Sequence, residues 1–237
     1  MALDEWLLDQ HRSGLHPPTL RFYQWSPPAI SLGYHQRHWC DAWAALTWNG
    51  CAIDLVRRPT GGRAVLHQGD ITYALIASDI HGSRVEVYQT LCQFLISGMR
   101  SLGVELHYGD AGKGYIHNPN CFGTSTSADL VLADRTKLIG SAQLRRGSAI
   151  LQHGSIRLNP DPQLYEHVFG TPLDLPSLPH SLCDLSAERR YERIIQALTE
   201  AAQECYGICF VNQPLSEDEW QTIKGRSPRW NVVTAHP

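Results

Sequence analysis

The 237-residue sequence has no apolar run of the roughly eighteen residues that a membrane-spanning helix needs. It opens Met1-Ala2-Leu3-Asp4-Glu5, with acid where a secretory leader carries base, so no signal peptide is expected. Basic excess is also lacking. Lys and Arg number 20 against 23 Asp and Glu, and the net charge of -3 argues against general nucleic-acid affinity. No C-x-x-C is present. The seven cysteines (Cys40, Cys51, Cys92, Cys121, Cys183, Cys205 and Cys209) are odd in number and irregular in spacing. A disulfide framework and a structural zinc site are therefore not expected. That pattern reads as a reducing, cytoplasmic compartment, with six of the seven as ordinary buried thiols.

Several motifs are missing too. Gly112-Lys113-Gly114 lacks both the upstream glycine and the Ser/Thr of a phosphate loop, and no G-x-G-x-x-G follows a strand. Neither H-E-x-x-H nor G-x-S-x-G occurs. There is no internal repeat and no low-complexity tract.

What is present is a chain that can bury a core: 43% of residues are hydrophobic and 18% charged. Apolar spacing predicts helices over 2–12, 86–102 and 187–206, with Gly103 closing the second. Alternation predicts strands over 19–25, 30–33, 52–58, 63–67, 71–77, 104–108, 129–133, 137–145 and 149–158. Residues 109–124 read as a loop, 171–186 as a connector, and 215–237 as a short helix plus an arm. Strands grouped with inserted helices imply an α+β fold, a mixed or antiparallel sheet core flanked by helices. A single domain over 1–237 is expected, in which 175–237 can form a small C-terminal lobe.

Four segments carry candidate chemistry. Arg57-Arg58-Pro59-Thr60-Gly61-Gly62-Arg63 ends a strand in a glycine turn. Its amides can approach a ligand closely and its arginines can hold a carboxylate or phosphate. It also reads simply as a glycine hairpin with solvated arginines. Asn120-Cys121-Phe122 lies late in a Gly/Asn-rich loop, where a thiol is a nucleophile if a nearby cation lowers its pKa, and an incidental thiol otherwise. Lys137 begins an apolar strand that continues through the small residues Gly140, Ser141 and Ala142, a pattern that marks close approach of a ligand. His153-Gly154 sits in the next strand, and His67 ends the strand after the glycine turn; each histidine also reads as one satisfied by the sheet.

In this order the segments resemble the superfamily of lipoate–protein ligases, biotin–protein ligases and octanoyltransferases. The resemblance runs from about residue 2 to residue 160 and rests on Leu3-Asp4-Glu5, Pro28-Ala29-Ile30-Ser31-Leu32-Gly33, Arg57 to Gly62, Lys137 to Gln143, and Leu151 to Ser155. It is closest to the cysteine-dependent octanoyltransferases of the ligase-like branch, which carry a Cys-Phe pair ahead of the lysine strand, as Cys121-Phe122 and Lys137 stand here. Ligases tend to an Arg-Asn-Asp element where this chain has Gly123 to Asp129, and to a third glycine where it has Arg63. The chain also leaves little room for the extra C-terminal domain of many ligases.

The resemblance implies the fold of a biotin/lipoate ligase catalytic domain. It implies transfer of octanoyl from an acyl carrier protein, through a thioester on Cys121, to a lysine of a lipoyl-carrier domain (glycine cleavage H protein or the E2 of a 2-oxoacid dehydrogenase). Catalysis falls to Cys121 and Lys137. Substrate binding falls to Arg57, Arg58, Thr60, Gly61, Gly62, His67, Gly140, Ser141, Ala142, His153 and Gly154. No metal, cofactor, nucleic acid or membrane is called for. Carrier docking falls to scattered arginines: Arg57, Arg58, Arg63, Arg145 and Arg146. An ATP-dependent lipoate ligase, an amidotransferase between carrier domains, a cysteine hydrolase and a non-catalytic carrier-binding protein are the rival readings.

Overall fold

In the computed structural model, residues 1–109, 129–226 and 232 are described. Helix α1 (Ala2–Arg12) opens the chain and is followed by strands β1 (Thr19–Tyr23) and β2 (Ala29–Leu32). A 3-10 turn (Asp41–Ala45) leads to a short ribbon, β3 (Thr47–Trp48) and β4 (Cys51–Ala52), then to β5 (Asp54–Arg57), β6 (Val65–His67) and β7 (Asp70–Ser78). Helix α2 (Arg84–Ser101), β8 (His107–Tyr108), β9 (Asp129–Val131), β10 (Lys137–Arg146) and β11 (Ala149–Arg157) follow. Helices α3 (Pro162–Phe169), α4 (His180–Cys183), α5 (Ala187–Tyr206) and α6 (Glu217–Arg226) complete the order.

The sheet core divides in two. Six strands pair antiparallel in the order β1-β7-β11-β10-β9-β8, and a smaller mixed sheet runs β5-β2-β6 with β2 parallel to β5. The period of two decides what covers the large sheet. Along β7, Ile71, Tyr73 and Leu75 join one apolar cluster with Phe94, Leu95 and Met99 of α2 and Leu198 of α5. Ala74 and Ile76 point the other way, against Trp6, Leu7 and Leu8 of α1 and Ile223 of α6. Each fully buried side chain of this size contributes about 1.5–3 kcal/mol. Gly98 sets the spacing of α2 and α5: a Cβ there would lie 2.9 Å from the Ala197 carbonyl oxygen. A third cluster joins Ile30, Leu32 and Leu55 of the small sheet to Trp43 and to Leu164 and Val168 of α3.

Several expectations shift. The strand expected over 52–58 breaks at Ile53, which is buried and donates its amide to the Leu46 carbonyl at 2.9 Å. The strand expected over 19–25 ends at Tyr23. Helix α3 was not foreseen, although its signals are plain: Asp161 caps it, Pro162 takes its first position and Gly170 closes it at φ 68°. The expected buried thiols are a correction. Of the six cysteines among the described residues only Cys92 is buried, and Cys40, Cys51, Cys183, Cys205 and Cys209 are exposed. They fall in loops, short elements and outward helix faces, where burial is set by position and not by residue type.

Candidate active site

The glycine turn between β5 and β6 faces strands β10 and β11 across a cavity of about 230 Å³. Its backbone is pinned by Arg58, which is buried. The guanidinium donates to the carbonyls of Ser31 (2.8 Å), Gly61 (3.0 Å) and Arg63 (2.7 Å). Gly62 takes φ 98°, and a Cβ on Gly33 would sit 1.9 Å from the Gly62 carbonyl oxygen, so two chain segments touch backbone to backbone. Arg57 lies outside the cavity lining and donates to the carbonyls of Gly33 (2.9 Å) and Gln36 (2.8 Å). Both arginines thus hold main chain.

Two buried histidines brace the same wall. His67 Nε2 lies 2.8 Å from Ser31 Oγ and its Nδ1 2.8 Å from Asp70 Oδ2. Trp25 stacks on the ring at 4.4 Å. The His67–Asp70 contact ties β6 of the small sheet to β7 of the large one, and Asp70 also accepts from Ser155 of β11 at 2.6 Å. His153 Nε2 lies 2.6 Å from Thr60 Oγ1, and Nδ1 3.3 Å from Asp4 Oδ2. Burial pushes the His153 pKa down although Asp4 opposes the shift. The neutral ring then donates from Nδ1 to Asp4 and accepts the Thr60 hydroxyl proton at Nε2. For Asp4, burial raises the pKa but is outweighed by Arg21, which is hydrogen-bonded to it, together with the N-terminal ammonium and His153, and the carboxyl titrates well below its usual range.

Lys137 enters the cavity from β10. Its Nζ stands 2.9 Å from Asp129 Oδ1, and both side chains are buried. The pairing of β10 with β9 slips register between Lys137 and Ile139, an irregularity of the kind that re-aims a side chain. Behind the floor of the cavity, on the α2 side of the sheet, the Tyr73 hydroxyl lies 2.7 Å from Ser141 Oγ and accepts from Gln152 at 3.1 Å. Gln152 also contacts Cys92, whose thiol burial pushes up to about 12. Gly154 is small because of that ring: its Cβ would meet Tyr73 Cε1 at 2.7 Å and the Gly140 carbonyl oxygen at 2.6 Å.

Of the residues singled out in the sequence, Arg58, Gly61, Gly62, His67, Lys137, Gly140, Ser141, Ala142, His153 and Gly154 line this one cavity. Thr60 stands just behind it on His153. Cys121 lies outside the described residues. Asp4 and Ser31 stand in motifs that carry the resemblance but were given no site role, and Asp70 and Asp129 were given none either. His67 and Asp70 stand three residues apart, a signal that was available. Asp4 and His153 are 149 positions apart, and nothing in a single sequence joins them.

The antiparallel sheet flanked by helices is the catalytic-domain fold of lipoate-protein ligases. A crystal structure of lipoate-protein ligase A bound with ATP superposes at TM-score 0.73 and 22% identity, covering 98% of this chain and 92% of that one. A bi-partite lipoate protein ligase from Thermoplasma acidophilum superposes at 0.65 and 18% identity, over 99% and 92%. The lipoyl protein ligase A/B catalytic domain matches residues 1–205, and the chain belongs to that family. Relatives include Octanoyltransferase LipM of Kyrpidia tusciae, 36% identical over 94% of this chain and 88% of its own length. Octanoyltransferase LipM of Moorella thermoacetica is 38% identical over the same shares. That of Geobacillus kaustophilus is 40% identical over 73% of this chain and 65% of its own length.

Proposed function

We infer that this chain is an octanoyltransferase of lipoate biosynthesis, and we propose that it works through Cys121. The observation that carries the activity is its 36% and 38% identity to octanoyltransferases along 94% of its length. Octanoyl arrives as a thioester on an acyl carrier protein. The Cys121 thiolate attacks the carbonyl carbon, the carbon–sulfur bond to the carrier breaks, and the carrier thiol leaves with the proton that Cys121 lost. The ε-amine of a lysine on a lipoyl-carrier domain (an H protein or an E2) then attacks the enzyme thioester. An amide forms, and Cys121 recovers its thiol.

The cavity supplies the rest of the chemistry. The Lys137 ammonium, held against Asp129, donates to the oxygen that gathers charge in each tetrahedral intermediate. Both ring nitrogens of His67 and His153 already have partners, so these residues hold the wall and position the glycine turn. Arg57, Arg58 and Thr60 act on substrate through that turn. Gly61, Gly62, Gly140, Ser141, Ala142 and Gly154 give the acyl chain close-packed walls. The thioester is already activated, so the transfer draws on no nucleotide. No helix among the described residues is long and apolar enough to cross a membrane. The five exposed thiols suit the reducing cytoplasm in which we place the reaction.

The test is a transfer assay with octanoyl-acyl carrier protein and an unmodified lipoyl domain, without ATP. Octanoylated domain is the expected product. Product only from octanoate with ATP replaces this reading with a ligase. Product only from an octanoylated carrier domain replaces it with an amidotransferase. Release of free octanoate alone replaces it with a hydrolase.

A further inference from the structure

A second groove opens beside the cavity and shares a wall with it. Ser141, Ala142 and Gln143 of β10 line both hollows. The groove, about 550 Å³, continues between the first turn of α2 and the end of β10, with Arg84 and Val85 on one side and Leu144 and Arg145 on the other. Among the described residues that line it, both charged groups are arginines and none is an acid. That is not the average of a chain with net charge -3. Glu86, close in sequence, closes the capping box on Ser83 and lines a different groove.

The side chains of Arg84 and Arg145 make no hydrogen bond or ion pair with any described residue. The neighbouring arginines differ: Arg57 and Arg58 hold carbonyls, and Arg146 pairs with Glu5 and Asp9. Of the arginines named in the sequence for carrier docking, Arg145 alone combines an exposed position on this groove with a side chain that has no partner among the described residues.

We propose that Arg84 and Arg145 bind the phosphodiester of the pantetheine arm of an acidic acyl carrier protein. This rests on the octanoyl-transfer reading above. Guanidinium groups match phosphate oxygens in geometry and charge. Val85 and Leu144 offer apolar surface to the branched hydrocarbon next to that phosphate. The shared wall at Ser141 and Gln143 then carries the thioester end of the arm into the cavity. Both guanidiniums are exposed, so the contact is salt-sensitive.

Titration calorimetry with pantetheine, 4'-phosphopantetheine and holo-acyl carrier protein tests this on the wild type and on an Arg84→Gln/Arg145→Gln variant. The phosphate is expected to raise wild-type affinity about five- to tenfold, as two screened exposed contacts would. The variant loses that advantage and binds the holo-carrier correspondingly less tightly. In turnover, kcat/KM for octanoyl-acyl carrier protein falls by the same factor, and that for octanoyl-N-acetylcysteamine, which has no phosphate, is unchanged. Equal wild-type affinity for the two small molecules overturns the proposal, as does an undiminished phosphate advantage in the variant. Weaker phosphopantetheine binding with unchanged carrier binding overturns the carrier assignment. Calorimetry needs no turnover, so failure of transfer from every thioester overturns the octanoyl-transfer reading separately.

Discussion

Lys137 Nζ lies 2.9 Å from Asp129 Oδ1 in a place where their side chains are only 3% and 6% exposed. An ammonium so placed is tolerable because a carboxylate shares its site, and removing one partner leaves the other charged and buried. Asp129→Asn is therefore expected to destabilise the fold by about 3 kcal/mol, read from urea unfolding. Adding Lys137→Met restores part of that loss, whereas transfer stays depressed about a hundredfold or more, as when an oxyanion donor is removed. A neutral effect of Asp129→Asn on stability contradicts the buried pairing.

Acid is expected to weaken the fold in two stages. Burial pushes the His153 pKa below 6.5, so as pH drops the unfolded chain takes up the proton first. Stability is full above 6.5 and declines as pH falls from there toward the folded value. Although burial pushes it up, Arg21, the N-terminal ammonium and His153 together hold the Asp4 pKa well below 3.8, so its contribution is present above 3.8 and is lost below it. Unfolding free energies measured between about pH 7.5 and 3 check this. His153→Gln should flatten the upper stage and Asp4→Asn the lower one.

Two glycines near the cavity should respond in opposite ways to one methyl group. At Gly33 a Cβ would lie 1.9 Å from the Gly62 carbonyl oxygen, so Gly33→Ala must move backbone, with an expected cost of about 3 kcal/mol or more. At Gly61 nothing lies within 4 Å and the residue lines the cavity. Gly61→Ala is expected to leave stability within about 0.5 kcal/mol of wild type and to raise KM by narrowing the acyl site. Thermal melts with steady-state kinetics separate the two.

Thiol reactivity should follow position. Cys92 is buried and its pKa is pushed up to about 12, whereas Cys40, Cys51, Cys183, Cys205 and Cys209 are exposed. Timed alkylation at about pH 8, mapped by peptide mass, should label the exposed five and spare Cys92 until denaturant is added. Early labelling of Cys92 contradicts its place against Gln152.

Much of the fold was legible because its signals are local. The apolar spacing of Val87, Leu91, Phe94, Leu95 and Met99 marks α2, and the alternation of Ile71, Tyr73 and Leu75 marks β7. The division into two sheets was not legible, since β2 meets β5 across a connection that no periodicity describes. Within the site, glycine turns, small residues and a lysine at a strand start singled out the segments that line the cavity, and the resemblance in their order assigned them to the site. The roles of the arginines were not, because a guanidinium that binds carbonyls and one that binds a ligand look alike in sequence. The roles of Asp4 and Asp129 were missed for a related reason: each residue acts by meeting a partner that the fold brings to it, His153 for the one and Lys137 for the other.

The central claim is the acyl-enzyme, and intact-mass spectrometry after mixing with octanoyl-acyl carrier protein, without ATP, reads it directly. A gain of one octanoyl group on the wild type, absent in Cys121→Ala, is the predicted result. The same gain on Cys121→Ala, or transfer to the lipoyl domain at the wild-type rate by that variant, would contradict it.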